Sequence, residues 1–178
     1  MQIDFSPELD KVLEYAREEA MRTGSYAILP DHLLLGILRH ADNDACRLLA
    51  RLGIDSAELK HFIESQLFRR ESISYSDIDR IVYSRNAQST LNMTVLETSL
   101  TGEERSRAIH LLLAVSRSTG NIGAEFLGRA GIGHEQLAKE WRSLQGPSEP
   151  KPEPTEPKRP APPKQVFRIV VDKNKIYS

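Results

Sequence analysis

The sequence predicts an all-α domain made of two four-helix copies related by a pseudo-twofold. Three observations predict it. Residues 5–64 lie over residues 83–142 at a gapless offset of 78. Each copy carries apolar residues at helical spacing. No alternating strand pattern occurs before the C-terminal tail. A repeat of this length is one supersecondary unit used twice. The matches include Leu13/Leu91, Glu19/Glu97, Thr23-Gly24/Thr101-Gly102 and His32-Leu-Leu-Leu35/His110-Leu-Leu-Leu113. Arg39/Arg117, Asn43/Asn121, Leu49/Leu127 and Gly53-Ile54/Gly131-Ile132 continue the register.

The first helix is expected over about Pro7–Met21, with Leu9, Val12, Leu13, Ala16 and Ala20 as its apolar stripe. Ser6 stands as N-cap before a proline at the first helical position. Gly24 ends it in a left-handed conformation. The second helix opens at Pro30-Asp31-His32, and its near-continuous leucine run marks it as the buried one. Asp42-Asn43 caps a third helix with Ala45, Cys46, Leu48 and Leu49 on one face. Gly53 ends that helix, and Asp55 or Ser56 caps a fourth that finishes near Leu67. The second copy is expected over about 84–100, 106–118, 121–130 and 133–144. Residues 68–82, rich in charge and serine, join the copies. Eight helices in about 140 residues enclose a real core.

The domain is therefore expected over 1–145, with repeat 1 at 5–67 and repeat 2 at 83–144. Residues 146–164 read as a Pro-rich linker, with eight prolines between 147 and 163. Residues 165–178 read as a β-prone tail beginning Gln165-Val-Phe-Arg-Ile-Val-Val171. That tail is either disordered alone, the start of a further domain, or a strand that docks on another chain's sheet edge.

Charge is split. Residues 1–145 hold 17 Lys/Arg against 21 Asp/Glu, and residues 146–178 hold 7 against 4. Neither region has the concentrated basic face of a nucleic-acid binder. No stretch approaches the ~20 apolar residues of a membrane span. A lone cysteine, Cys46, offers no internal disulfide and fits a reducing compartment, so a cytoplasmic location is expected. The phosphate-loop, nucleophile-elbow and zinc-helix signatures are missing, so no enzyme activity, cofactor or metal site is expected. His32 and His110 read as structural residues that close the starts of their helices rather than as ligands or acid/base groups.

The run Thr-Gly-Ser-Tyr-Ala-Ile-Leu-Pro-Asp-His-Leu-Leu-Leu-Gly-Ile-Leu (23–38), followed by Leu49-x-x-x-Gly53-Ile54, resembles the Clp N-terminal repeat. The resemblance covers about residues 3–145, twice over. It is weaker in the second copy, where Gly102, His110-Leu-Leu-Leu and Leu127-x-x-x-Gly131-Ile132 carry it. It implies a non-catalytic module whose partners are proteins: substrates, adaptors or Clp ATPase and protease components. No nucleic-acid or membrane partner is implied. In ClpC- and ClpA-like unfoldases the paired repeats form a mobile N-terminal domain ahead of the ATPase rings. No ring is present here, so the chain is either such a domain cut from a longer unfoldase or a free-standing relative. The alternatives are an adaptor that docks through its β-prone tail, and an enzyme using the repeat histidines.

The resemblance to phosphoarginine-binding ClpC-type domains implies three site residues. A hydroxyl at the first helix start and the acid before the motif histidine form the pocket there. Ser6 and Asp31 occupy these positions in the first copy. Ser84 stands in the second, where Ile109 replaces the acid. Ordinary helix capping is the other reading of all three.

Overall fold

The computed structural model describes residues 3–67, 70–118 and 120–145. The expected linker and tail, 146–178, lie outside the described residues. Both copies belong to one compact unit that runs to Trp141.

Each copy contains the four expected helices. In the first, α1 spans Pro7–Arg22, α2 Pro30–Arg39, α3 Asp44–Arg51 and α4 Ser56–Gln66. In the second, α5 spans Arg85–Thr101, α6 Ala108–Arg117, α7 Ile122–Arg129 and α8 His134–Leu144. The caps follow residue chemistry. Asn43 accepts the Cys46 N–H at 2.9 Å, and Asn121 accepts the Ala124 N–H at 2.7 Å. Asp55, not Ser56, caps α4 through the Ala57 N–H. Gly24 and Gly102 both take φ +73°, the left-handed conformation that ends α1 and α5. The segment between the copies includes a 3-10 turn at Tyr75–Arg80.

The expectation of no strands needs correcting. Among the described residues four two-residue strands occur: β1 Asp4–Phe5, β2 Ala27–Ile28, β3 Val82–Tyr83 and β4 Arg105–Ser106. Ser106, expected to open a helix, lies in β4, and α6 begins at Ala108. β1 pairs in parallel with β4, and β2 with β3. Each bridge therefore joins one copy to the other. Ser6 N–H donates to the Ser106 carbonyl and Ser84 N–H to the Ile28 carbonyl, which extends both bridges into the helix starts. Two residues are too few to show a period of two, so nothing in the sequence announces them.

The core lies where α2 and α6 meet, flanked by α1 and α5. Leu33, Leu34, Leu35 and Ile37 of α2, with Leu111, Leu112, Leu113 and Val115 of α6, are buried. The two central helices are apolar almost all round because neighbours cover them on every side. α5 differs from α1 on its inner face. Thr90, Thr94 and Thr98 stand where α1 has Val12, Ala16 and Ala20, and each threonine hydroxyl donates to the carbonyl four residues back at 2.8–2.9 Å. That back-bonding lets polar side chains face the core. Among the described residues no helix is long and apolar enough to cross a membrane.

Candidate functional site

The leucine helices α2 and α6 start without a capping side chain at Leu29 and Arg107. The motif histidine supplies what is missing. His32 Nδ1 accepts the Leu29 N–H at 2.9 Å, and His110 Nδ1 accepts the Arg107 N–H at 2.9 Å. A ring nitrogen that accepts leaves the proton on Nε2. His32 Nε2 therefore donates to Thr23 Oγ1 at 2.9 Å, and that hydroxyl donates to the Glu19 carbonyl. His110 Nε2 meets Thr101 Oγ1 at 3.1 Å and Glu103 Oε2 at 2.8 Å. Thr-Gly thus ends one helix while its threonine ties that end to the start of the next. Burial lowers the His32 pKa to about 4, helped by the Arg22 guanidinium. Burial also lowers that of His110, against the opposing pull of Glu103. Both nitrogens of each ring are engaged in this role. Among the described residues no group of three His, Cys, Asp or Glu could hold a metal ion.

The three residues implied as a phosphoarginine site serve helix starts. Ser6 Oγ accepts the Leu9 N–H at 3.1 Å, and Ser84 Oγ accepts the Ala87 N–H at 3.0 Å. Asp31 is buried and reaches into the other copy. Its Oδ1 accepts the Gly123 N–H at 2.9 Å and its Oδ2 the Ile122 N–H at 3.2 Å, both at the start of α7. Burial raises its pKa, and the two amide donors oppose that rise. No hydrogen bond joins Ser6 to Asp31 among the described residues. Ile109, the counterpart of Asp31, is fully buried core.

Glu8 was not singled out in the sequence, and it does a related job. Its Oε2 accepts the Ala108 N–H at 3.0 Å at the start of α6. The counterpart of Ala108 is Pro30, which has no N–H, and the counterpart of Glu8 is Asn86. So the first copy lends two carboxylates to helix starts of the second, and neither is returned. A second missed set was visible as repeat matches without a role. Glu19 and Glu97 are buried carboxylates. Glu97 Oε1 meets Arg117 at 3.3 Å and His134 Nε2 at 2.8 Å, while Glu19 pairs with Arg22 and lies 4.0 Å from Arg39.

An open cleft of about 460 Å³ borders the His32 junction, lined among others by Thr23, Tyr26, Leu29, His32, Leu67 and Arg70. Its walls mix apolar side chains with backbone, the hydroxyl-bearing Thr23, Ser25 and Tyr26, the His32 ring and the Arg70 guanidinium. Such a lining offers both apolar contact and hydrogen-bonding groups to whatever enters it.

The fold recurs in known proteins. The Clp repeat (R) N-terminal domain family matches residues 4–130. The ClpC/MecB negative regulator of genetic competence of Bacillus subtilis is 28% identical over 145 residues, which is 82% of this chain and 17% of that protein. The chain thus spans about a sixth of that relative's length. The Hsp104 N-terminal domain from Candida albicans superposes with a TM-score of 0.65 at 18% identity, covering 80% of this chain and 92% of that one. A complex of the ClpV N-domain with VipB peptide superposes with a TM-score of 0.64 at 19% identity, covering 79% and 86%. With a family match over most of its length, and two copies of the His-Leu-Leu-Leu helix built as the fold requires, the chain belongs to the Clp repeat N-terminal domain family.

Proposed function

We propose that this domain is a non-catalytic recognition module that receives substrate proteins, adaptors or a Clp ATPase during regulated protein unfolding and degradation in the cytoplasm. Membership of the Clp repeat family carries the reading. The ClpV N-domain with its VipB peptide supports it, as a peptide complex on the same fold. The cleft beside His32 is the surface of this chain that we assign to a peptide segment. Tagged full chain is used as bait in a lysate of the native host, beside a Tyr26→Ser variant. Tyr26 is exposed at the cleft, so the change leaves the core intact. Retention of a Clp component, adaptor or unfolding client, weakened in the variant, is expected. Capture of no such protein overturns the reading, and capture indifferent to Tyr26 removes the cleft from it.

The finer version of this reading is phosphoarginine recognition through Ser6 and Asp31, with Ser84 in the second copy. Here the guanidinium replaces the two α7 amides on Asp31 while the α1 start and Ser6 hold the phosphate. Calorimetry of the full chain with free phosphoarginine tests it. Asp31→Ala is expected to weaken binding about tenfold or more. No heat with the parent chain leaves Ser6, Asp31 and Ser84 as capping residues.

A further inference from the structure

α5 carries two leucines on an outer face that meets only water, while part of its inner face is threonine. Its core-facing positions include Thr90, Thr94 and Thr98, while Leu96 and Leu100 are 45% and 67% exposed. The same two positions of α1 hold Glu18 and Arg22. The contrast extends along the helix. Between Asn86 and Thr101 the one ionisable residue is Glu97, which is buried. The exposed residues there are Asn86, Gln88, Ser89, Asn92, Leu96, Ser99 and Leu100, whereas the outer face of α1 is densely charged. Two leucines a turn apart on an uncharged helix face mark a surface that another helix covers.

The charges at the two ends say which helix. Exposed Arg85 opens α5, and exposed Glu104 follows its C-terminal glycine. Neither makes an ion pair among the described residues. Arg105, beside Glu104, stands opposite Asp4 in the β1–β4 register, on the strand rather than on α5. A face that is positive at one end, negative at the other and neutral between is complementary to itself when turned end for end. The helix dipoles favour that same antiparallel order.

We propose that α5 is a self-association face, on which a second copy of this chain packs its own α5 antiparallel about a twofold axis. Arg85 of each copy lies by Glu104 of the other. In that register Leu96 sits by Met93 of the second copy, and Leu100 by the small Ser89. The contact is isologous, as in most homodimers. One helix pair about 25 Å long buries less than a standard stable interface, so the dimer is weak and concentration-dependent.

Sedimentation of the full 178-residue chain tests this, from about 1 µM to several hundred µM, the range of a weak interface. The parent is expected to move from monomer to dimer across that range. Leu96→Glu with Leu100→Glu, both at exposed sites, is expected to weaken association at least tenfold with unchanged helical circular dichroism. Arg85→Glu sets like charges together and is expected to weaken it severalfold. Adding Glu104→Arg to Arg85→Glu restores the opposite-charge pair and is expected to recover association. A parent that stays monomeric at several hundred µM overturns the proposal, including when the leucine pair is needed to capture a different protein. A dimer indifferent to the leucine pair overturns it as well. Loss on Arg85→Glu without recovery in the swapped variant overturns the antiparallel pairing.

Discussion

Asp31 of the first copy accepts the N–H of Gly123 in the second at 2.9 Å, across 92 residues of sequence. Its other oxygen takes the Ile122 N–H, and Asn121 takes that of Ala124, so three successive amides at the α7 start are satisfied by side chains. A carboxylate at a helix N-terminus also meets the positive end of the helix dipole. Asp31→Ala therefore leaves two amides short of their partner, and we expect a loss of about 2–3 kcal/mol in denaturant melts. Asp31→Asn keeps one good acceptor and is expected to lose less. Equal losses from the two variants would show that one neutral acceptor does nothing for the α7 start and that the charge and the second oxygen carry the whole effect.

Leu34 and Gly123 form the apolar half of the same junction. A Cβ built on Gly123 would run into the Leu34 Cδ2 methyl, so the missing side chain makes room for Leu34 where α7 packs on α2. Leu34→Ala is expected to cost about 2–5 kcal/mol as a cavity, and Gly123→Ala about 1–3 kcal/mol through overpacking. In the double variant the added methyl enters the space the leucine left. Its loss should fall short of the sum by more than about 0.5 kcal/mol. Strict additivity in equilibrium melts would separate the two residues. Leu112→Ala, at the equivalent buried position, is also expected to cost about 2–5 kcal/mol. Its neighbouring position there is Ala45, so no glycine partner exists to test.

How much of this was legible depends on sequence distance. Local signals were clear. Ser6 and Asn43 announce their helices by type and position and cap them as expected, Asp55 is the one of the two offered residues that caps α4, and Asn121, expected inside its helix, caps it instead. The histidines were legible as helix-start residues because both copies keep them before a leucine run. What could not be read is what one copy does for the other. Asp31 and Glu8 find their amides 91 to 100 residues away, and the four short strands exist only because the copies lie side by side. α5 hid its inner face for another reason. Threonine scores as polar, and its hydroxyl is satisfied by its own helix, so the buried stripe breaks the expected apolar period.

Glu97 shows what a repeated charge can mean. It is 3% exposed and is shared by Arg117 and His134, both partly exposed. Glu97→Gln keeps the shape and loses the charge. The expected cost is about 1–3 kcal/mol, below that of breaking a fully buried pair, because the Arg117 guanidinium is screened by solvent. Thermal melts at low and high salt check it. The gap between parent and variant should narrow in salt, and a gap that does not respond would assign the cost to packing rather than charge.

The last expectation concerns pH. His32 is 1% exposed and holds its ring neutral, with a folded-state pKa of about 4 against 6.5 for the free side chain. The folded value is the lower one, so the unfolded chain takes up the proton first as the solution is acidified. The stability that His32 contributes is full above about pH 6.5, declines between there and about pH 4, and is gone below. The difference is worth about 3 kcal/mol across that window. Other groups titrate in the same range, so the parent curve alone does not isolate it. His32→Gln does, because a glutamine at this position can still accept the Leu29 N–H and has no proton to gain. We expect the variant to be the less stable protein at pH 7, since it loses the ring's contact with Thr23. From pH 7 to pH 4 the parent should then lose about 3 kcal/mol more than the variant in denaturant melts. Parallel pH curves would mean that the ring takes up its proton in the folded state without leaving its place between Leu29 and Thr23.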